Sequence, residues 1–148
     1  MSSNPNLRPV EILLVEDSAS DANLIIRELS KAEVANNLHW VKHGEAAIDY
    51  LCCREKFADA LRPDLILLDL NLPRMDGREV LKIVKADSAL KRIPIVILTT
   101  SNDEEDILHS YNLNANCYIT KPLDIQQFIR VVRLIDEFWL AAVELPGE

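Results

Sequence analysis

The feature that most constrains the fold is a run of four aliphatic residues that ends in an acid, Leu65-Ile66-Leu67-Leu68-Asp69. Pro63 and Pro73 bound this segment. A short, continuous apolar run is typical of a strand that is buried on both faces, as in a parallel sheet. A carboxylate avoids burial unless a partner compensates its charge. Because ligands bind at the carboxyl ends of parallel strands, Asp69 is either a cap for the following loop or the centre of a reaction.

The composition limits the class of protein. The chain has 148 residues, 49% hydrophobic and 27% charged, which indicates one globular domain. Its net charge of −8 argues against sequence-independent binding to nucleic acid, which requires lysine and arginine. The apolar runs are too short to span a membrane and the N-terminal residues resemble no signal peptide, so we expect no membrane partner. Cys52, Cys53 and Cys117 fit neither a disulfide framework nor a zinc site, which favours a cytoplasmic location.

Apolar strands and amphipathic helices alternate along the chain. Strands are predicted at residues 10–15, 38–41, 65–69, 95–98 and 117–119. A helix is predicted after each strand, the first behind a capping box between Ser18 and Asp21. Residues 54–63 form a polar connection. The pattern predicts a flavodoxin-like α/β fold, a doubly wound parallel five-stranded sheet of order 2-1-3-4-5 with helices on both faces.

Polar residues follow four of the predicted strands, at the edge where their carboxyl ends meet. They are Glu16 and Asp17 after the first strand, Asp69 on the third, Thr99 on the fourth and Lys121 after the fifth. Three carboxylates close together repel one another, and Mg²⁺ removes that repulsion because it binds carboxylate, carbonyl, water and phosphate oxygens. A lysine suits a phosphoryl oxygen, and a carboxylate can be the nucleophile that forms an acyl phosphate. The pattern therefore predicts phosphoryl transfer to Asp69.

Four motifs, in this order and spacing, resemble those of the receiver domains of two-component response regulators. They are residues 11–17, 69–77, 94–99 and 118–122, and the resemblance covers roughly residues 10–138. It implies an N-terminal tail (residues 1–9), a receiver domain (residues 10–140) and an apolar C-terminal tail (residues 141–148).

The resemblance also implies the residues of the site. These are the phosphoacceptor Asp69, the Mg²⁺ ligands Glu16, Asp17, Asp69 and the backbone carbonyl of Asn71, and the phosphoryl-binding and switch residues Thr99, Lys121 and Tyr118. A cis peptide is implied between Lys121 and Pro122, and phosphorylation is expected to shift the population between two packings. The chain departs from the family at Thr100, where receivers usually have alanine or glycine, so a larger side chain stands beside the site.

Finer features resemble the small receivers that partner phytochrome-type photoreceptor kinases. They are residues 62–73, the connection at residues 54–63 and the ending at residues 138–140. This resemblance implies a histidine kinase regulated by red and far-red light as the partner. It also implies a homodimer through the fourth helix, the fifth strand, the fifth helix and the C-terminal tail.

Other functions are weighed against a receiver. A pseudo-receiver would bind partners without phosphorylation, and the intact acidic set argues against it. A phosphatase that forms an aspartyl phosphate would have an Asp-x-Asp pair on the first strand, and a flavin protein would need a hydroxyl- and glycine-rich loop there. Taken singly, Asp69 and Thr99 fit helix or turn caps, Lys121 a solvated lysine and Tyr118 a packed aromatic residue. The combination of these residues favours the receiver.

Overall fold

A computed structural model describes residues 9–31, 35–99 and 117–120, together with Gln126 and Arg130, which are helical. Within these residues the strands are β1 (Val10–Val15), β2 (Asn36–Val41), β3 (Leu65–Asp69), β4 (Ile95–Thr99) and β5 (Cys117–Thr120). They form one sheet of order β2-β1-β3-β4-β5 in which every pair is parallel. The predicted fold class, strand order and strand direction are thus confirmed. The predicted fourth helix, most of the predicted fifth helix and the C-terminal tail lie outside the described residues.

Three helices of the described part cover both faces of the sheet: α1 (Ala19–Ser30), α2 (Gly44–Leu51) and α3 (Gly77–Ala86). Alternate residues of each central strand point to opposite faces, as the period of two in a strand requires. On one face α1 packs on a buried cluster that includes Ile12, Leu14, Leu65, Leu67, Val96 and Leu98. On the other face α2 and α3 pack on a cluster that includes Leu13, Val15, Ile66, Leu68, Ile95 and Ile97. The apolar runs in the sequence reflect this burial on both faces.

Helix α1 begins at the predicted cap. The Ser18 hydroxyl accepts a hydrogen bond of 3.3 Å from the backbone N–H of Asp21, which satisfies one of the unpaired N–H groups of the first turn. The N–H of Ser18 itself donates to Oε2 of Glu16 at 3.1 Å. The start of α1 is therefore tied to the acidic end of β1.

The predicted bounds differ most around β2 and α2. Strand β2 begins at Asn36 and not at residue 38, because it pairs with the whole length of β1 although its first residues are polar. Helix α2 begins at Gly44, whereas the apolar pattern of the sequence predicted a helix from Ala46 to Leu51. Its N-cap is His43, whose Nδ1 accepts a bond of 3.2 Å from the N–H of Ala46. Histidine is not among the residues that usually cap a helix start, and glycine is a poor helix former, so no clear signal in the sequence marks this start.

The polar connection between α2 and β3 contains one turn of 3₁₀ helix, Glu55–Phe57. Phe57 anchors it, since its ring packs edge-on against buried Tyr50 with 5.3 Å between centroids. Among the described helices, none has the length and apolarity needed to cross a bilayer.

Candidate metal centre

Three carboxylates meet at the carboxyl end of the sheet. Strand β1 pairs with β3 in a register that places Val15 beside Leu68. The next residue along each chain is an acid: Glu16 follows Val15, and Asp69 follows Leu68. Asp17 joins them, and one carboxylate oxygen of each of the three lies within 4.8 Å of the others. The structure thus brings together the three acids that the sequence predicted.

The three acids differ in their exposure to solvent. Glu16 is 0% exposed and Asp69 is 3% exposed, whereas Asp17 lies at the surface. Burial of two carboxylates next to a third is unfavourable unless nearby groups or a cation compensate their charge. Because Asp17 is exposed, this end of the cluster is accessible to solvent.

Asp69 is held by the loop that follows β3. The N–H of Asn71 donates a hydrogen bond of 2.9 Å to Oδ1 of Asp69. The loop stays close to the sheet because Leu70 donates to the carbonyl of Leu98 at 3.0 Å, and Gly77 donates to the carbonyl of Leu70 at 3.1 Å. The carboxylate is therefore fixed by its own loop and by a central strand, as a preorganised reaction centre requires.

Glu16 is held from strand β2 as well as from α1. Its N–H donates to the carbonyl of Val41 at 3.0 Å, which extends the β1–β2 pairing by one residue. Its own carbonyl accepts a hydrogen bond of 2.7 Å from Nε1 of Trp40. The sequence pattern did not single out Trp40, because this contact depends on the β1–β2 register. The only sequence signal was an aromatic residue near the end of the strand that neighbours Glu16.

The donor set fits a hard divalent cation. Mg²⁺ takes one or two carboxylates and completes its octahedral shell with carbonyl, phosphate and water oxygens. The cluster offers carboxylate oxygens without sulfur or imidazole, which disfavours a softer metal. The residues present therefore suit Mg²⁺ or Mn²⁺.

The other predicted site residues are placed only by the backbone. Asp69 pairs with Leu98, so Thr99 lies one residue further along, at the same edge of the sheet. Thr99 in turn pairs with Thr120 of β5, and Tyr118 pairs with Ile97. The side chains of Thr99 and Tyr118, like the whole of Lys121 and Pro122, lie outside the described part, so their predicted roles stay predictions.

Comparison with known proteins identifies the family. Residues 12–133 match the response regulator receiver domain. A similar protein is Response regulator Rcp1 of Synechocystis sp., which is 45% identical over 145 residues, 98% of this chain and 97% of the relative.

Two solved structures have the same fold over nearly the whole chain. The phosphorylated cyanobacterial phytochrome response regulator RcpA is 48% identical with a TM-score of 0.81, covering 95% of this chain and 100% of that one. The Mn²⁺-bound form of Rcp1 is 45% identical with a TM-score of 0.80, covering 94% and 100%. With the family match, the parallel sheet and the acidic cluster in agreement, the chain belongs to the response regulator receiver domain family.

Proposed function

We propose that the protein is a single-domain response regulator that accepts a phosphoryl group from a sensor histidine kinase onto Asp69. The observation that supports this most strongly is the convergence of Glu16 and Asp17 on Asp69 in a chain of the receiver family. Asp69 ends a central strand and is almost completely buried. A fixed, shielded carboxylate is suited to act as a nucleophile. The receiver domain is proposed to span residues 10–140, and we place it in the cytoplasm, where ATP-dependent kinases act.

The proposed reaction exchanges one bond to phosphorus for another. An oxygen of Asp69 attacks the phosphorus of a phosphohistidine, the O–P bond forms as the N–P bond breaks, and the imidazole nitrogen leaves with the electron pair. The N–H of Asn71 holds the carboxylate plane of Asp69 during the attack. We propose Glu16, Asp17, Asp69 and the backbone carbonyl of Asn71 as the Mg²⁺ ligands. The bound cation supplies positive charge for the phosphoryl oxygens.

Thr99, Lys121 and Tyr118 are proposed to complete the site. A lysine ammonium pairs with a phosphoryl oxygen, and a threonine hydroxyl donates a hydrogen bond to another. The position of Thr99 at the end of β4 supports this assignment, because β4 neighbours the strand that ends in Asp69. We propose that Thr99 and Tyr118 move when Asp69 is phosphorylated, and that the peptide before Pro122 is cis.

The signal is proposed to end by hydrolysis in the same site. Attack of water on phosphorus breaks the O–P bond, restores the Asp69 carboxylate and releases inorganic phosphate. The exposure of Asp17 supports this step, since it leaves the cluster open to water. The decay of the phosphorylated protein after removal of the donor measures it, and Mg²⁺ chelation is expected to slow the decay.

The proposed kinase partner is a phytochrome-like photoreceptor. This proposal is supported by the similarity to RcpA, described as a cyanobacterial phytochrome response regulator. The test is phosphotransfer from a photoreceptor kinase in its red-absorbing and far-red-absorbing states, with unrelated histidine kinases for comparison. We expect faster transfer from the photoreceptor kinase and a rate that depends on its light state. Equal transfer from all kinases would argue against this partner.

A homodimer is the proposed assembly, formed through the predicted fourth helix, strand β5, the predicted fifth helix and the tail at residues 141–148. The apolar composition of this tail supports the proposal, since such a segment packs against its own domain or covers a partner. Sedimentation of the protein with and without phosphorylation tests it. A monomer at high concentration in both states would exclude the dimer.

Phosphorylation by acetyl phosphate with Mg²⁺ tests the central proposal. We expect the wild type to gain the mass of one phosphoryl group, and Asp69→Asn to gain none. The matched control is Asp59→Asn, which makes the same chemical change at an exposed position in the connection between α2 and β3. This control is expected to be labelled like the wild type.

This labelling experiment, together with an assay for turnover of phosphate esters, separates a receiver from the other candidate functions. No labelling of the wild type, or equal labelling of Asp69→Asn, would favour a pseudo-receiver that binds partners without phosphorylation. Rapid turnover of many phosphate esters would favour a hydrolase. Labelling that requires both Asp69 and Mg²⁺ supports the receiver.

A further inference from the structure

Trp40 connects the edge strand of the sheet to the acidic cluster. It lies on β2, paired with Leu14 of β1, and its indole Nε1 donates a hydrogen bond of 2.7 Å to the backbone carbonyl of Glu16. This bond is not part of the strand ladder, because a side chain and not a backbone group is the donor. It reaches one residue beyond the end of β1, to the peptide that joins Glu16 to Asp17.

Glu16, the residue before Asp17, is fixed on several sides. The N–H of Glu16 bonds to Val41, its carbonyl accepts from Trp40, and its side chain accepts from the N–H of Ser18. A peptide unit is planar, so an orientation imposed on the Glu16 carbonyl also orients the N–H and Cα of Asp17. Asp17 is the exposed acid of the cluster and lacks the burial that holds Glu16 and Asp69 in place. Its position therefore depends on this peptide.

The indole is itself held in place. Trp40 packs against the apolar cluster beneath α1, together with Leu38 of the same strand. Lys42 Nζ lies 5.4 Å from the centroid of the Trp40 ring, within the range of a cation–π contact. A donor fixed by packing loses little side-chain entropy when it forms its hydrogen bond. Trp40 can thus restrain the loop after β1 in the absence of any ligand.

We propose that Trp40 is a positioning residue of the metal centre, which orients Asp17 for Mg²⁺ through its hydrogen bond to the Glu16 carbonyl. This inference rests on the proposed function, since it assumes that Asp17 binds the metal. Groups outside the ligand shell that orient a ligand contribute strongly to metal affinity. Loss of the Trp40 hydrogen bond is expected to weaken metal binding and not to slow the chemical step, because the indole bonds to a backbone carbonyl and not to a carboxylate of the cluster.

The test compares Trp40→Phe with the wild type. Phenylalanine keeps an aromatic ring in the apolar cluster but removes the N–H donor. We expect Mg²⁺ affinity, measured by calorimetry, to fall by about 3- to 10-fold, the range set by the net contribution of one hydrogen bond. At saturating Mg²⁺ the maximum rate of phosphorylation by acetyl phosphate is expected to stay within about twofold of the wild type, because the phosphoacceptor is untouched. The matched control is Leu38→Ala, which weakens packing on the same face of β2 without altering this hydrogen bond.

A second replacement isolates the donor from the shape of the ring. Benzothienylalanine at position 40 has sulfur in place of the indole N–H and nearly the same volume, and it should reproduce the loss of Mg²⁺ affinity. In the wild type, the indole N–H cross-peak of Trp40 in a ¹⁵N NMR spectrum should shift when Mg²⁺ is added. Trp139→Phe assigns this peak, since the chain has two tryptophans.

The outcomes distinguish failure of the positioning role of Trp40 from failure of the proposed metal site. If the wild type binds Mg²⁺, Asp17→Asn does not, and both replacements of Trp40 bind like the wild type, the positioning role is wrong and the metal site stands. An equal loss of affinity in Leu38→Ala would also overturn it, since general weakening of β2 would then explain the effect. If Asp17→Asn binds Mg²⁺ as well as the wild type, the proposed metal site itself is wrong.

Discussion

Gly77 packs so closely against Asp69 that a Cβ on Gly77 would overlap the carbonyl oxygen of Asp69. The same Cβ would lie 2.6 Å from Cα of Leu70. Both clashes are with backbone of β3 and its following loop, which cannot move aside as the end of a long side chain can. The first residue of α3 thus sets how closely the helix approaches the acid at the centre of the site. The Asp76 side chain caps the same turn by accepting from the N–H of Arg78 at 2.7 Å.

Gly77→Ala is expected to destabilise the protein by about 1–3 kcal/mol, the usual cost of overpacking. It should also slow phosphorylation of Asp69, because relief of the clash displaces the backbone that carries the carboxylate. Urea unfolding and labelling with acetyl phosphate measure the two effects. The control is Lys82→Ala at an exposed position of α3, which should change stability by less than about 0.5 kcal/mol. A Gly77→Ala protein as stable as the control would show that α3 can shift without loss.

Mg²⁺ is expected to stabilise the folded protein by relieving repulsion among Glu16, Asp17 and Asp69. A ligand that binds only the folded state at about 100 times its Kd adds about 2.7 kcal/mol to the free energy of unfolding. Asp17→Asn should remove most of this gain and should make the metal-free protein slightly more stable, since one charge of the cluster is lost. Urea unfolding with and without Mg²⁺ measures both changes. Asp59→Asn, whose carboxylate is exposed outside the cluster, should keep the full gain, and a similar loss there would point to a nonspecific salt effect.

The central strands could be predicted from the sequence because burial on both faces leaves a simple signal. Strand β3 is apolar at every position before Asp69, and β1 and β4 have nearly the same character. The parallel order then brought the strand ends together, so Glu16, Asp17 and Asp69 could be assigned to one site before their distances were known. A cluster at the carboxyl edge follows from topology alone.

The contacts that could not be predicted depend on register and on close packing. Trp40 reaches the Glu16 carbonyl only because β2 and β1 pair with Leu14 beside Trp40. The first residue of α2, Gly44, has no room for a side chain, because the carbonyl oxygen of Met75 would lie 2.6 Å from a Cβ at that position. Such contacts join residues that are distant along the chain, and no local pattern encodes them.

Tyr50 is expected to make the stability of the protein sensitive to alkaline pH. Burial raises the pKa of Tyr50 above 10.0, and the Glu11 carboxylate raises it further. Because the folded state holds the proton more tightly than the unfolded state, the stabilising contribution is complete below about pH 10. It is lost as the pH rises from there through the higher pKa of the folded state. Tyr50→Phe removes this titrating group, whereas the other groups titrate equally in both proteins. The unfolding free energy of the variant should therefore fall less between pH 9 and pH 11 than that of the wild type.

Phe57→Leu is the control for this pH dependence. It removes the ring that packs edge-on against Tyr50 but leaves the phenol in place. The variant should be less stable than the wild type at neutral pH and should keep a clear alkaline loss. Parallel alkaline curves for Tyr50→Phe and the wild type would mean that Tyr50 does not titrate differently in the two states.

A buried polar cluster at the amino end of β1 supports the last prediction. Glu11 is 4% exposed, and its carboxylate accepts from Nδ2 of Asn37 at 2.9 Å and lies 3.2 Å from Nε2 of His39. Asn37→Ala removes a partner from a buried carboxylate and is expected to destabilise the protein by about 1–3 kcal/mol. Glu11→Met replaces the carboxylate by an apolar group of similar length, and the more exposed Asn37 and His39 can then turn to water, so its effect should be smaller.

A double-mutant cycle measures how much of this difference comes from the contact itself. Once Glu11→Met is present, Asn37→Ala should have little further effect on the free energy of urea unfolding, because the carboxylate oxygen that Asn37 contacts is no longer there. The cluster lies at the opposite end of β1 from Glu16, so both variants should be phosphorylated by acetyl phosphate at the wild-type rate. Additive losses in stability would show that Asn37 stabilises the edge strand independently of Glu11.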